Sequence, residues 1–106
     1  MEIRVVNERD VEEVKTTRGS SKFLVQHEKG EGPSIMIRVW GPETDIPVHS
    51  HPFNEMFYVL EGEVEMGDAT YAVGSCIYIP KGVSYGPTRA PKGVKLLRYV
   101  EGGYTD

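Results

Sequence analysis

This chain of 106 residues has little of what stabilises or anchors several classes of protein. Its one cysteine, Cys76, permits no disulfide within the chain and no zinc site built from several cysteines. No apolar run approaches the ~20 residues that span a bilayer, and the residues after Met1 are unlike a secretory signal. We therefore expect a cytoplasmic protein with no membrane partner. Because Cys76 lies in the strand-like run S-C-I-Y-I, we expect a buried, unreactive thiol.

Positive charge is also scarce. Lysine and arginine total 12 against 16 aspartates and glutamates, which gives a formal net charge of -4 at pH 7. A protein that binds nucleic acid usually has a basic footprint, so we expect no nucleic-acid partner. The length corresponds to one domain over residues 1–106, which is long enough to bury a core without disulfides or structural zinc.

Helical periodicity is nearly absent. Only residues 10–14 predict a short helix, with Asp10 as its N-cap and Glu13 as the capping-box partner. Twelve glycines and seven prolines divide the rest into short segments. These segments predict strands at 23–27, 35–40, 48–51, 56–60, 64–66, 70–73, 77–79 and 94–100. Such frequent turn signals predict an all-β antiparallel sandwich or small barrel, with the first twenty residues as a peripheral arm.

The most informative residues lie in the run V-H-S-H-P-F-N-E-M-F-Y-V-L-E-G. Side chains at positions i and i+2 of an extended segment point to the same face, so His49 and His51 project together. A short connection then lets Glu55 open the next strand. Two imidazoles and one carboxylate can converge on one ion and leave further positions open, as in many non-haem Fe(II) enzymes. His27 lies beside charged residues near a turn, and we do not include it among the ligands.

The same residues give the chain a resemblance to the cupins, small jelly-roll barrels with two short motifs. The first cupin motif is Gly, five residues, His-x-His, three or four residues, Glu, six residues, Gly. His49, His51, Glu55 and Gly62 fall at these spacings, whereas Glu43 occupies the leading glycine position. The resemblance implies a cupin jelly-roll barrel (a double-stranded β-helix) with a short N-terminal arm and a conserved core at about residues 35–100.

The second cupin motif is kept only in its structural residues. Gly74, Pro80 and Gly82 match, but Tyr85 stands at the histidine position and Arg89 at the asparagine position. In metal-dependent cupins the ion is held by the two histidines and the glutamate of the first motif and by the histidine of the second. The resemblance therefore implies that three of four ligands are present here.

Tyr85 is the candidate catalytic residue, and three roles are open to it. Water can complete the metal shell while the Tyr85 hydroxyl orients a ligand or donates to a reacting oxygen. The phenol can instead ligate a strongly polarising ion such as Fe(III), which would have to overcome its ordinary pKa of about 10. The substitution can also mark a barrel that has lost its metal and kept a binding pocket.

Strand parity indicates which side chains line the pocket. Phe57 and Val59 share the parity of Glu55 and are expected inside, whereas Met56, Tyr58 and Leu60 face outward. An apolar outer strip of this kind usually marks an interface, and the cupin resemblance also implies a homodimer.

The parity of Arg38 leaves two orientations open. If Met36, Arg38 and Trp40 face inward, Arg38 is a natural partner for a substrate carboxylate or phosphate. If the other face of this strand is the inner one, Arg38 is a surface residue.

These observations favour a small metal-binding cupin that acts as a metal-dependent enzyme, of oxygenase or isomerase type, on a small polar molecule. The cofactor would be one divalent transition metal ion, Fe, Mn, Zn or Ni, bound by His49, His51 and Glu55. The alternative is a non-catalytic cupin domain that binds or senses a small ligand. Fold alone does not decide between them, since cupins host many chemistries.

Overall fold

The structure is a computed structural model that describes residues 2–28 and 30–103. Within these ranges, almost all regular structure is β-strand. The strands are β1 (Val14–Lys15), β2 (Gly19–Val25), β3 (Ser34–Trp40), β4 (Asp45–Ile46), β5 (Glu55–Met66), β6 (Ala69–Ala72), β7 (Cys76–Ile79), β8 (Thr88–Arg89) and β9 (Val94–Val100). Two short 3-10 helices cover Glu8–Asp10 and Glu101–Gly103. No helix in the described ranges is long and apolar enough to cross a membrane.

All strand pairs are antiparallel, and the sheet order is β1-β2-β3-β9-β5-β8-β4, with β6 and β7 also paired to β5. The first half of β5 pairs with β7 and β9, and its second half pairs with β6 and β8. The register with β9 shifts between Val59 and Glu61, and an irregularity of this kind bends a strand. The strand therefore connects both layers of a jelly-roll barrel, as predicted.

Alternation along the strands places the core inside the barrel. Val94, Leu96, Arg98 and Val100 are all buried, whereas the residues between them are only half-buried. The main apolar cluster consists of Trp40, Phe57, Val59, Val64, Ile79, Ala90, Val94 and Leu96. A smaller apolar cluster consists of Met36, Phe53 and Val100, and Phe23 packs against it. Polar side chains on the inner face lie between these apolar groups, and they form the site described below.

The predicted helix over residues 10–14 is wrong. Glu8–Asp10 form a 3-10 helix whose N-cap is Asn7, which accepts a hydrogen bond from the Arg9 backbone N–H at 3.0 Å. Val14–Lys15 pair with β2 as a strand, so the peripheral arm is shorter than twenty residues. A helix of one turn gains little from its own hydrogen bonds, and pairing with an existing sheet edge satisfies the same backbone groups.

Two other predictions also differ from the structure. Residues 48–51 form no strand, and His49 makes only an isolated bridge with Tyr85. Cys76 is exposed rather than buried. Alternation turns the isoleucines of β7 inward, and Cys76 faces outward opposite Tyr58. By contrast, the strand predicted at residues 94–100 coincides with β9.

Candidate metal and ligand site

The imidazoles of His49 and His51 converge at one end of the barrel. Their Nε2 atoms are 3.0 Å apart. His49 is fixed on the backbone by two hydrogen bonds with Tyr85, His49 N–H to Tyr85 O at 3.1 Å and Tyr85 N–H to His49 O at 2.9 Å. Its Nδ1 lies 2.9 Å from the Pro47 carbonyl oxygen. Because a carbonyl can only accept, Nδ1 donates to it, and this tautomer has its lone pair on Nε2.

Glu55 lies beside this pair at the start of β5, with only 1% of its surface exposed. Arg98, also buried, donates to Glu55 Oε2 from Nε at 3.0 Å and from Nη2 at 2.8 Å. The other oxygen, Oε1, has no hydrogen-bond partner in the described part of the chain. It lies 3.9 Å from His51 Nε2. One carboxylate oxygen is thus held by the arginine, and the other is left available.

The three predicted ligands meet only in part. The two histidine nitrogens converge, but no three His, Cys, Asp or Glu side chains among the described residues form a closed metal cluster. Two ligand atoms bound at about 2.1 Å and roughly at right angles lie about 3 Å apart, which agrees with the histidine pair. Oε1 of Glu55 lies 3.9 Å from His51 Nε2 and is the third candidate donor. These atoms are of the types that a divalent transition metal ion prefers as ligands.

Tyr85 closes one side of the site. Its ring lies 4.6 Å from that of His49 and 6.4 Å from that of Phe57, measured between centroids. Burial and the nearby Glu55 carboxylate raise the pKa of Tyr85 well above its ordinary range, and the charges of Arg98 and Arg38 offset this only in part. The hydroxyl therefore stays protonated, which favours a role as a donor over a role as a phenolate ligand.

These side chains open onto a cavity of about 280 Å³. The residues that line it are Arg18, Arg38, Trp40, Ile46, His49, His51, Phe57, Tyr85, Thr88 and Arg98. Met36 and Trp40 are buried on the same face of β3 as Arg38, so Arg38 has the inward orientation. His27 does not line the cavity. Its Nδ1 forms a hydrogen bond with the Pro33 carbonyl oxygen.

Sequence reasoning missed four residues of the cavity wall, one of them Ile46 on the two-residue strand β4. Arg98 alternates with buried apolar residues along β9, and this parity could have revealed an inward arginine. Thr88 is buried on the two-residue strand β8, which is too short to show a period. Arg18 lies in the β1–β2 hairpin, and no local pattern marks it.

Comparison with known proteins agrees with this architecture. The family model described as "ChrR Cupin-like domain" matches residues 2–104. No curated protein matches the chain.

Several solved structures share the fold. An RmlC-like cupin from Shewanella frigidimarina NCIMB 400 is 18% identical, with a TM-score of 0.78 over 95% of this chain and 92% of that one. The polyketide cyclase RemF from Streptomyces resistomycificus is 17% identical, with a TM-score of 0.77 over 94% and 80%. FeII HppE is 20% identical, with a TM-score of 0.71 over 93% of this chain and 60% of that one. At these identities the likeness shows the fold alone.

Proposed function

The chain belongs to the ChrR cupin-like family, and from this premise we propose that it is a small metal-binding cupin that acts as a metal-dependent enzyme on a small polar molecule. His49, His51 and Glu55 would hold one divalent transition metal ion, with Fe, Mn, Zn and Ni as candidates. The observation that carries this proposal is the 3.0 Å separation of the two Nε2 atoms. Structural likeness to FeII HppE and to a polyketide cyclase is consistent with an enzyme.

Hydrogen bonds with neighbouring groups orient His49 and Glu55, two of the proposed ligands. The Pro47 carbonyl holds the Nδ1–H of His49, which directs the lone pair of Nε2 toward His51. Arg98 holds Oε2 of Glu55 and leaves Oε1 unpartnered near His51. A divalent ion bound by these groups would supply Lewis acidity or oxygen activation.

Tyr85 is the proposed catalytic residue of this chain. Its hydroxyl stays protonated because burial and the Glu55 carboxylate raise its pKa. A neutral phenol on the cavity wall can donate a hydrogen bond to an oxygen of the bound molecule, which would stabilise negative charge that develops there. Phe57 and Trp40, which line the same cavity, limit the access of water to this hydrogen bond.

A second candidate function has one observation in its favour. The charge of Glu55 is already balanced by Arg98, so the carboxylate can remain buried without an ion. This arrangement suits a barrel that binds or senses a small ligand without turnover. In that case the His49 and His51 side chains would contact the ligand directly.

Thermal unfolding with and without a chelator separates these two functions. A bound ion stabilises only the folded state, by about 4 kcal/mol at a thousandfold excess over its dissociation constant. We expect Zn²⁺ or Mn²⁺ to raise the melting temperature of the chelator-treated protein and of His27→Ala, a histidine variant outside the cavity. His49→Ala should show no such rise. An equal rise in all three proteins, or none in any, would contradict the metal-binding function.

We also propose that the protein is a homodimer that pairs through an outer apolar face formed by Met56, Tyr58, Tyr78, Leu97 and Tyr99. The strand register places these residues side by side, and Tyr58 and Tyr78 are 39% and 59% exposed. Sedimentation should show a dimer for the unmodified chain and for Val48→Lys, and a monomer for Tyr58→Lys. A monomeric unmodified chain would refute this assembly.

A further inference from the structure

The cavity wall is positively charged although the chain as a whole carries a net charge of -4. Three arginines line it, and none of the other described wall residues is acidic. Glu55 balances the charge of Arg98 through the buried ion pair. Arg18 and Arg38 add two further positive charges. A cavity of this charge attracts anions, because low-dielectric walls concentrate the field inside a cleft.

Thr88 supplies an independent sign of a missing ligand. It is 1% exposed and lines the cavity, yet its Oγ1 has no hydrogen-bond partner among the described residues. Its backbone is paired in β8 with Ile46 and Met66, which keeps the side chain on the cavity side of the strand. A buried hydroxyl without a partner is costly, and a ligand oxygen would accept the hydrogen bond that the protein does not provide.

Arg38 is held in position for such a ligand. It lies in the centre of β3 and points inward between Met36 and Trp40, which are both buried. Its Nη1 donates to Ser21 Oγ at 3.3 Å on the neighbouring strand, which restrains the guanidinium. Arg38 and Tyr85 line the same cavity. A guanidinium offers paired donors that match the oxygens of a carboxylate or phosphate.

From these observations we propose that Arg38 and Thr88, with the exposed Arg18 at the opening, form a subsite that binds the oxyanion group of a small organic acid. The subsite shares its cavity with the histidine pair, so a molecule held there would extend its remaining atoms toward His49, His51 and Tyr85. The cavity volume of about 280 Å³ equals roughly nine water volumes. The ligand is therefore a compact acid, with its carboxylate or phosphate held by Arg38.

Calorimetric titration of the metal-free, chelator-treated protein tests the subsite without any contribution from an ion. The probes are malonate, inorganic phosphate and malonamide, the uncharged counterpart of malonate. We expect malonate or phosphate to bind with a dissociation constant on the order of 1 mM and malonamide to bind at least about tenfold more weakly. The tighter of the two anions assigns the group as carboxylate or phosphate.

Variants locate the binding. Arg38→Gln should weaken the preferred anion by about tenfold or more, because a charge-assisted hydrogen bond is lost. Thr88→Val should weaken it by about threefold to tenfold. Thr88→Val removes a hydroxyl that has no hydrogen-bond partner among the described residues, and it changes the side-chain volume very little. We therefore expect this variant to fold even if Arg38→Gln does not. Arg89→Gln is the matched control. Arg89 follows Thr88 in the sequence but does not line the cavity, and its Nε lies 3.4 Å from Asp45 Oδ1.

Three results would overturn the subsite. One is no binding of either anion at about 10 mM. Another is equal binding of malonate and malonamide. The third is an equal loss of affinity in Arg38→Gln and Arg89→Gln, which would reflect overall charge rather than a site. Because the titration uses metal-free protein, its outcome is independent of the metal proposal: loss of metal binding with retained anion binding would remove that proposal and leave this one standing.

Discussion

At the scale of single residues, the buried pair of Glu55 and Arg98 determines the electrostatics of the site. Both side chains are almost fully buried, and their 2.8 Å contact joins β5 and β9 through two residues that are 43 positions apart in the sequence. A buried ion pair is a weak source of stability, since apolar residues of similar volume often serve as well. Its position beside His51 therefore favours a role in the site over a role in holding the barrel together.

Removal of one partner of this pair should be severely destabilising. Arg98→Met leaves the Glu55 charge buried without compensation, and we expect a loss of about 3–5 kcal/mol in the free energy of unfolding. Urea unfolding followed by circular dichroism measures it. The control Arg89→Met removes an arginine from an exposed pair with Asp45 and should cost at most about 1 kcal/mol. Similar losses of unfolding free energy in the two variants would contradict the claim that a buried Glu55 charge without Arg98 is costly.

The raised pKa of Tyr85 predicts a pH dependence with a definite sign. A group whose pKa is higher in the folded protein than its ordinary value of about 10 stabilises the fold below that value and loses this contribution as the pH rises. Compared with Tyr85→Phe, the metal-free protein should therefore lose stability between about pH 9 and pH 11. Parallel pH profiles of unfolding free energy for the two proteins would show that the Tyr85 hydroxyl is not buried beside a carboxylate.

Residue parity predicted part of the site and could not have predicted the rest. Glu55, Phe57 and Val59 are all buried, as alternation along β5 required. Arg98 escaped notice because arginine normally faces solvent, and its burial is made possible by a distant partner, Glu55. A local pattern cannot contain that information, because the pairing of β5 with β9 brings the two residues together.

At the scale of secondary-structure elements, β5 positions the site and also closes the barrel. The strands predicted at residues 56–60 and 64–66 are one strand of twelve residues in the structure, with a register shift between Val59 and Glu61. Gly62 adopts a φ of 76°, and a Cβ at this position would lie 2.4 Å from the Gly93 carbonyl oxygen. The bend thus depends on contact with the segment before β9, which the local sequence does not reveal.

This contact makes Gly62 less tolerant of substitution than Gly74, another glycine with a positive φ. Gly74 has a φ of 91° and open space around its missing Cβ, so Gly74→Ala should cost about 1 kcal/mol from backbone strain. Gly62→Ala adds a backbone clash and should cost about 2 kcal/mol more. Denaturant unfolding of both variants measures the difference. Equal losses would mean that the close approach of Gly62 to Gly93 is unimportant to stability.

The loop that carries the histidines shows the same limit of local prediction. Alternation correctly grouped His49 with His51, but the strand predicted around them is absent. Pro47 and Pro52 flank the pair and have no backbone N–H to contribute to a ladder. The segment is instead fixed by the two backbone hydrogen bonds between His49 and Tyr85, a partner thirty-six residues later in the sequence.

At the scale of the whole molecule, the cupin motifs predicted the jelly-roll barrel, and the structure and the family match confirm it. Gly74 has a positive φ in the turn between β6 and β7, whereas Gly62 has a positive φ inside β5. An acidic chain encloses a cavity lined by three arginines beside a histidine pair. Composition does not reveal this positively charged cavity, because its arginines come together only when the barrel closes.

Metal content, measured by elemental mass spectrometry on tag-free protein, tests the central claim most directly. We expect about one Fe, Mn, Zn or Ni ion per chain in the unmodified protein and in His27→Ala, and almost none in His49→Ala/His51→Ala, since the paired Nε2 atoms are the proposed ligands. The same metal content in the double variant, or no metal retained by any of the proteins after metal is added back, would contradict the claim.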